Sequence, residues 1–212
     1  MTAEIFLSGV IEMLTKIFLS AILAAASTVA GSLWIDKLYS RSTELTFPEE
    51  ISARAKFRNP ILFFSLTILF SLTDDLFLTA ATFLLMLMTF TDFEQYMLFD
   101  AMTFPLAIFG AAYAWQNSTL QENFLAAMVG GGVFLLFAVL SKGALGGGDI
   151  KLIAALGLWL GSENLLNVVL VGTIAGALAA VLMILLKKKN RKSYFAYGPY
   201  FTLSAIYFLL AP

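Results

Sequence analysis

Residues 164–186 read NLLNVVLVGTIAGALAAVLMILL, and Lys187-Lys188-Lys189-Asn190-Arg191-Lys192 follows at once. No acid or base interrupts those positions. As a helix rising 1.5 Å per residue they would be about 34 Å long, enough to cross the roughly 30 Å hydrocarbon core of a bilayer. The apolar residues are continuous, without the period-2 alternation of an outer-membrane barrel strand. Working outward, the same texture fills the chain. Of its 212 residues 60% are hydrophobic and 13% charged, and mean hydropathy is +0.88. Soluble domains run nearer about 45–50% apolar and about 25% charged. Disorder is excluded by the same figures, since the net charge is only −1.

Apolar runs cover about 17–35, 59–73, 75–91, 101–115, 124–141, 150–161, 164–186 and 195–211. The fold expected is all-α, a polytopic helical membrane bundle of about eight segments. The run 150–161 is the weakest and short for a straight span; the count drops to six or seven if it or a neighbour fails to cross. The first residues lack a basic stretch and a small-residue cleavage site, so the first segment reads as a retained helix.

Basic residues set the orientation. Numbering the gaps between segments in order, all of the 13 Lys and Arg except Lys16 fall in odd-numbered gaps or just beyond them. The first gap holds Lys37, Arg41, Arg54, Lys56 and Arg58, the fifth Lys142 with Lys151 beyond, and the seventh the run after Leu186. The positive-inside rule puts those gaps in the cytoplasm and both termini outside.

The chain has neither Cys nor His. That removes disulfides, thiolate metal sites, cysteine nucleophiles, Ser–His hydrolysis and imidazole-ligated metals. Acid–base chemistry is left to Asp, Glu, Lys or Tyr. A pI of about 5.4 gives no electrostatic case for nucleic acid.

Most acids read as solvated. Asp36, Glu44, Glu49 and Glu50 share a loop with basic neighbours, while Asp74, Asp75, Glu122 and Glu163 fall in external turns. Glu12 and Lys16 are spaced for an i,i+4 ion pair. Asp92, Glu94, Asp100 and Asp149 differ, because they lie at segment ends on one side, and ionisable groups at membrane depth are costly enough to be functional candidates. Asp149 follows Gly143-Ala144-Leu145-Gly146-Gly147-Gly148. The glycines read either as a loop that another chain approaches closely or as a flexible linker before an N-capping aspartate. A phosphate-binding loop is a poor rival, since neither a preceding strand nor a Lys-Ser/Thr pair is present. Two carboxyls brought together share one proton over a broad pH range, so the ionised one can activate water while the protonated one polarises a peptide carbonyl. That chemistry needs no His, Cys or metal.

At this point the residues resemble a family. Gly146-Gly147-Gly148-Asp149-Ile150-Lys151 followed by Leu152–Gly161 is similar to the second signature of type IV prepilin peptidases, Gly-x-Gly-Asp, a basic residue and a Leu-Ala-Ala-Leu-Gly-like stretch. Asp92–Leu106 resembles the first signature, Tyr197-Gly198-Pro199-Tyr200-Phe201 a Phe-Gly-Pro-Tyr-Leu element, and Gly31-Ser32-Leu33 a Gly-Ser-Phe at the end of the first helix. The resemblance implies an aspartic endopeptidase of the bacterial inner membrane, its active site facing the cytoplasm. Asp92 and Asp149 would be the catalytic pair and Gly146 and Gly148 would shape the loop. Asp100 and Lys151 would stand behind the pair, with a helix cap the alternative for Asp100 and an anchoring charge the alternative for Lys151. The substrate implied is a prepilin or pseudopilin-like precursor with a basic leader and an apolar helix. No metal or cofactor is expected. The chain would divide into a transmembrane helix 1–35, a short cytoplasmic loop 36–58 and a membrane-embedded peptidase domain 59–212.

Two departures stand out. Many family members carry a Cys-x-x-Cys zinc domain after the first helix and also N-methylate the mature pilin, whereas 36–58 is short and has no Cys. Peptidase activity without methyltransferase activity is therefore expected. Phe99 stands where the family has Pro. Two other readings compete. A signal-peptide-peptidase relative would have Tyr before the first aspartate, where Thr91 stands. A proton- or cation-coupled transporter would show an internal repeat, and none is visible. Gly172 and Gly176 fit close helix packing, Gly130-Gly131-Gly132 a kink or a tight crossing, and Trp34, Trp115 and Trp159 interfacial anchoring.

Overall fold

The computed structural model describes residues 3–142, 145–186 and 195–211. The basic run Lys187–Lys192, which weighed in the orientation argument, lies outside the described residues, as do Gly143 and Ala144. All regular structure among the described residues is helical. It comprises α1 (Ala3–Arg41), α2 (Ile51–Arg54, between 3-10 turns Pro48–Glu50 and Ala55–Phe57), α3 (Arg58–Ser71) and α4 (Leu76–Gln95). Then follow α5 (Asp100–Gln116), α6 (Leu120–Leu140), α7 (Gly147–Leu185) and α8 (Gly198–Leu210). Leu7–Arg41 of α1, α4, α6 and α7 are long and apolar enough to cross a membrane, and the others are shorter apolar rods or connecting turns. The protein is an all-α multi-pass membrane bundle.

α7 is two rods. At Gly161 the backbone leaves helical geometry (φ 68°, ψ −173°), a conformation that glycine alone adopts without strain. The arm before it runs antiparallel to α6, with Ala154 against Gly131, Gly157 against Ala127 and Gly161 against Glu122. The arm after it runs back, with Leu165 against Gly130. It then packs antiparallel on α8, Gly172 meeting Phe201 and Gly176 meeting Tyr197. The eight apolar runs of the sequence thus correspond to eight rods, the weak run 150–161 being the first arm. The Gly130–Gly132 cluster serves a tight crossing, since α6 continues through it unbroken.

α4 is the central rod. Of its apolar window 61% is buried, against 17–22% in the other three long helices. Leu85, Leu87 and Met88 form the core with Leu62 and Leu66 of α3, Met102 and Leu106 of α5, and Leu152 and Leu156 of α7. Large apolar side chains such as Phe18, Phe64, Leu136 and Leu178 cover the outside, as expected where the surrounding solvent is lipid.

Asp75 starts α4 by accepting the Leu78 N–H at 3.0 Å, a side-chain N-cap. Tyr96 ends the helix in the left-handed region (φ 54°). Alternating directions bring the ends of α1, α4 and α6 and the starts of α3, α5, α7 and α8 to one end of the bundle. Lys16 lies at the other, where its Nζ meets Asp74 at 2.8 Å. The i,i+4 partner expected for Lys16, Glu12, is therefore replaced by a residue 58 positions away. Trp159 also departs from expectation. It is buried, donates to the Leu106 carbonyl at 2.8 Å and stacks on Tyr113, so it packs helices together.

Candidate active site

Asp92 lies in the last turn of α4 and Asp149 in the first turn of α7. Both helix ends lie at the same end of the bundle, bridged by Leu98, which meets Gly148 of α7 and the Gly198 position beside Asp92. Asp92 is only 6% exposed, and Asp149 is half-buried. Among the described residues Asp92 Oδ2 has no hydrogen-bond partner. A buried carboxylate oxygen left unpaired is costly.

Glycines build the walls. An added Cβ at Gly198, the first residue of α8, would lie 2.7 Å from Asp92 Oδ2. At Gly148 it would lie 2.9 Å from Leu98 Cβ, and at Gly146 3.2 Å from Asp149 Oδ2. Leu98, in the turn between α4 and α5, thus packs against Gly148 and lies 3.3 Å from the same Gly198 position. The close neighbour of the loop is Leu98 of the same chain, at Gly148, while Gly147 has nothing within 4 Å of an added Cβ. Gly146 is the N-cap of α7 and Asp149 stands three residues in, its N–H donating to the Gly146 carbonyl at 3.1 Å.

Asp100 and Lys151 take each other. Lys151 Nζ lies 2.7 and 2.8 Å from the two Asp100 oxygens, tying α5 to α7. Asp100 makes no cap hydrogen bond, for the N-cap of α5 is Phe99, which corrects the cap alternative. Lys151 also spends its charge on Asp100. An open cleft of about 460 Å³ lies here, lined by Arg41, Leu98, Asp100 and Lys151 among others. Among the described residues no three potential metal-ligating side chains cluster.

Glu94 was singled out by position alone, and its partner was missed. Arg58, read in the sequence as one more loop cation, is 2% exposed and holds Glu94 through two bonds, Nε to Oε1 at 2.8 Å and Nη2 to Oε2 at 2.6 Å. Asp36 Oδ1 accepts from Arg58 Nη1 at 2.6 Å, and the Tyr39 hydroxyl donates to Glu94 Oε2 at 3.0 Å. Gln95, fully buried, pairs with both the N–H and the carbonyl of Phe47 at 2.8 and 3.1 Å. Arg54 reaches the Phe93 and Glu94 carbonyls while lying over the Phe47 ring. The sequence signal for Arg58 was its place at the very start of an apolar run.

Residues 79–181 match the family described as the type IV leader peptidase family. The chain is similar to the prepilin leader peptidase/N-methyltransferase of Neisseria gonorrhoeae, 38% identical over 130 residues, which is 58% of this chain and 44% of that protein. The one from Aeromonas hydrophila is 32% identical over 130 residues (58% and 45%). That from Legionella pneumophila is 27% identical over 138 residues (62% and 48%). The matched stretch thus spans less than half the length of these curated relatives. No solved structure matches the chain.

Proposed function

With residues 79–181 assigned to the type IV leader peptidase family, we propose that this chain is an aspartic endopeptidase of the bacterial inner membrane. It would remove the basic leader of a prepilin or pseudopilin-like precursor at the cytoplasmic face. The observation that carries this reading is the placing of Asp92 and Asp149 at one end of the bundle, joined through Leu98, Gly148 and Gly198. The distribution of Lys and Arg in the sequence supports a cytoplasmic position for that end.

The two helices give the carboxyls different roles. Asp149 sits at the N-terminal, positively polarised end of α7, and Asp92 at the C-terminal end of α4. Asp149 is accordingly the base that takes a proton from the attacking water. Asp92 is the acid that donates a hydrogen bond to the scissile carbonyl. Water oxygen bonds to the carbonyl carbon, the C–N bond breaks, and the departing amine takes up the proton. The precursor's apolar helix would lie against the bundle within the bilayer while its charged leader stays in the cytoplasm.

The region 36–58 contains no Cys, so a thiolate zinc site cannot form there, and methyl transfer is not part of the proposal. The test is co-expression with a prepilin. Wild type should trim the leader, and Asp92→Asn and Asp149→Asn should each abolish trimming. Retained trimming by both single variants would sink the assignment.

A further inference from the structure

We infer that Glu94 and Arg58 are positioning residues that hold Asp92 at its working place from the opposite side of α4. This rests on Asp92 acting in catalysis. At 100° per residue, position 94 points about 200° away from position 92. One helical turn therefore presents a carboxyl to Gly198 of α8 on one side and a carboxyl to α1 and α3 on the other. Among the described residues the front carboxyl has an oxygen without a partner. The rear one has both oxygens bound by a single guanidinium, at 2.8 and 2.6 Å.

That guanidinium is itself held in place. Its Nη1 donates to Asp36 Oδ1 at 2.6 Å and to Ser32 Oγ at 3.2 Å, both on α1. The Tyr39 ring lies 5.6 Å from its centre. Arg58 opens α3, so one side chain ties three helices at the level of Asp92. Buried ion pairs are weak devices for stability, because apolar side chains of similar volume usually do as well, but a bidentate fork fixes distance and rotation together. A few tenths of an ångström in the last turn of α4 would move Asp92 relative to Asp149, where rate is steeply sensitive to placement. The tie lies on the side of α4 opposite Asp92, so its effect on the reaction runs through the position of α4.

The experiment compares wild type with Glu94→Gln and with the apolar pair Arg58→Met/Glu94→Leu. Full-length purified enzyme is used, on a prepilin that the wild type trims, with turnover normalised to the folded fraction. Positioning predicts a kcat lower by about 10-fold in Glu94→Gln and about 100-fold in the apolar pair, KM staying within about twofold. A support that only holds the fold would lower the folded fraction and leave the turnover of folded enzyme alone. Wild-type kcat in a folded apolar pair overturns the inference. Should that pair fail to fold, Glu94→Gln decides by the same criterion, and its failure to fold would also overturn the positioning role. Arg58→Lys, which keeps the charge but not the fork, should recover part of the apolar pair's loss. Asp92→Asn run alongside separates the two readings. If it stays active, the catalytic assignment fails. If it is dead while Glu94→Gln is unimpaired, only the positioning fails.

Discussion

Replacing Gly198 by alanine puts a methyl carbon 2.7 Å from Asp92 Oδ2, 3.0 Å from its Cγ and 3.3 Å from Leu98 Cδ2. Ordinary contact begins near 3.4 Å, so the carboxyl must retreat by about 0.7 Å. The backbone at 198 is not in the left-handed region, and the whole cost comes from this contact. Because the atoms that give way belong to side chains, the stability loss should stay near the low end of overpacking, about 1 kcal/mol. Activity should suffer more. A displacement approaching 1 Å at a reacting group costs on the order of 10- to 100-fold, equivalent to about 1.4–2.7 kcal/mol in the barrier. The assay is the initial rate of prepilin trimming by purified Gly198→Ala enzyme, with the melting temperature measured on the same sample. A rate within about twofold of wild type, in a protein of unchanged melting temperature, would refute the contact between α8 and the Asp92 carboxyl as a determinant of catalysis.

Gly157→Ala should destabilise by about 1–3 kcal/mol, since its methyl would meet the Ala127 backbone at 2.5 Å and two helices must part; thermal unfolding in detergent reads this directly. Gly132→Ala, with nothing within 4 Å of the new atom, should leave trimming unchanged and stabilise by up to about 1 kcal/mol through helix propensity. Asp100→Asn breaks a half-exposed ion pair worth less than about 1 kcal/mol, and trimming should persist near the wild-type rate. The absence of native Cys permits a topology test. Thr43→Cys should be labelled by an impermeant maleimide only from the cytoplasmic side and Asn117→Cys only from the other, and the reverse pattern would invert the proposed orientation.

The rods were legible because a bilayer demands continuous apolar stretches, and a stretch such as 164–186 can satisfy that demand in few other ways. The aspartates stand out for a related reason, as charges at the ends of such stretches need an explanation. Pairings across space were not. Lys16 chose Asp74 over Glu12, and Trp159 turned inward to the Leu106 carbonyl, because partners far along the chain offered better geometry than local ones. Arg58 stands in a loop rich in cations, where its place at the start of an apolar run is a faint signal, and the convergence of α1, α3 and α4 gives it a role unlike that of Arg41 or Lys56. The role of Gly198 needed the fold for the same reason: its sequence context marks a helix start, and nothing local says that a carboxylate lies against it.

Gln95 grips the segment after α1 by the peptide group of Phe47, not by a side chain. A grip on backbone atoms is indifferent to much of the surrounding sequence. The stretch between Arg41 and Phe47 is largely exposed, and it lies between the α1 residues that Arg58 holds and the grip at Phe47. Extra polypeptide spliced into that stretch would emerge into solvent while the path from Phe47 to α4 stays as it is. An insertion there would be flanked by two fixed points, the Arg58 tie on α1 and the Gln95 grip on Phe47. A fluorescent protein or a soluble domain grafted at Thr43 should ride on the enzyme without slowing it.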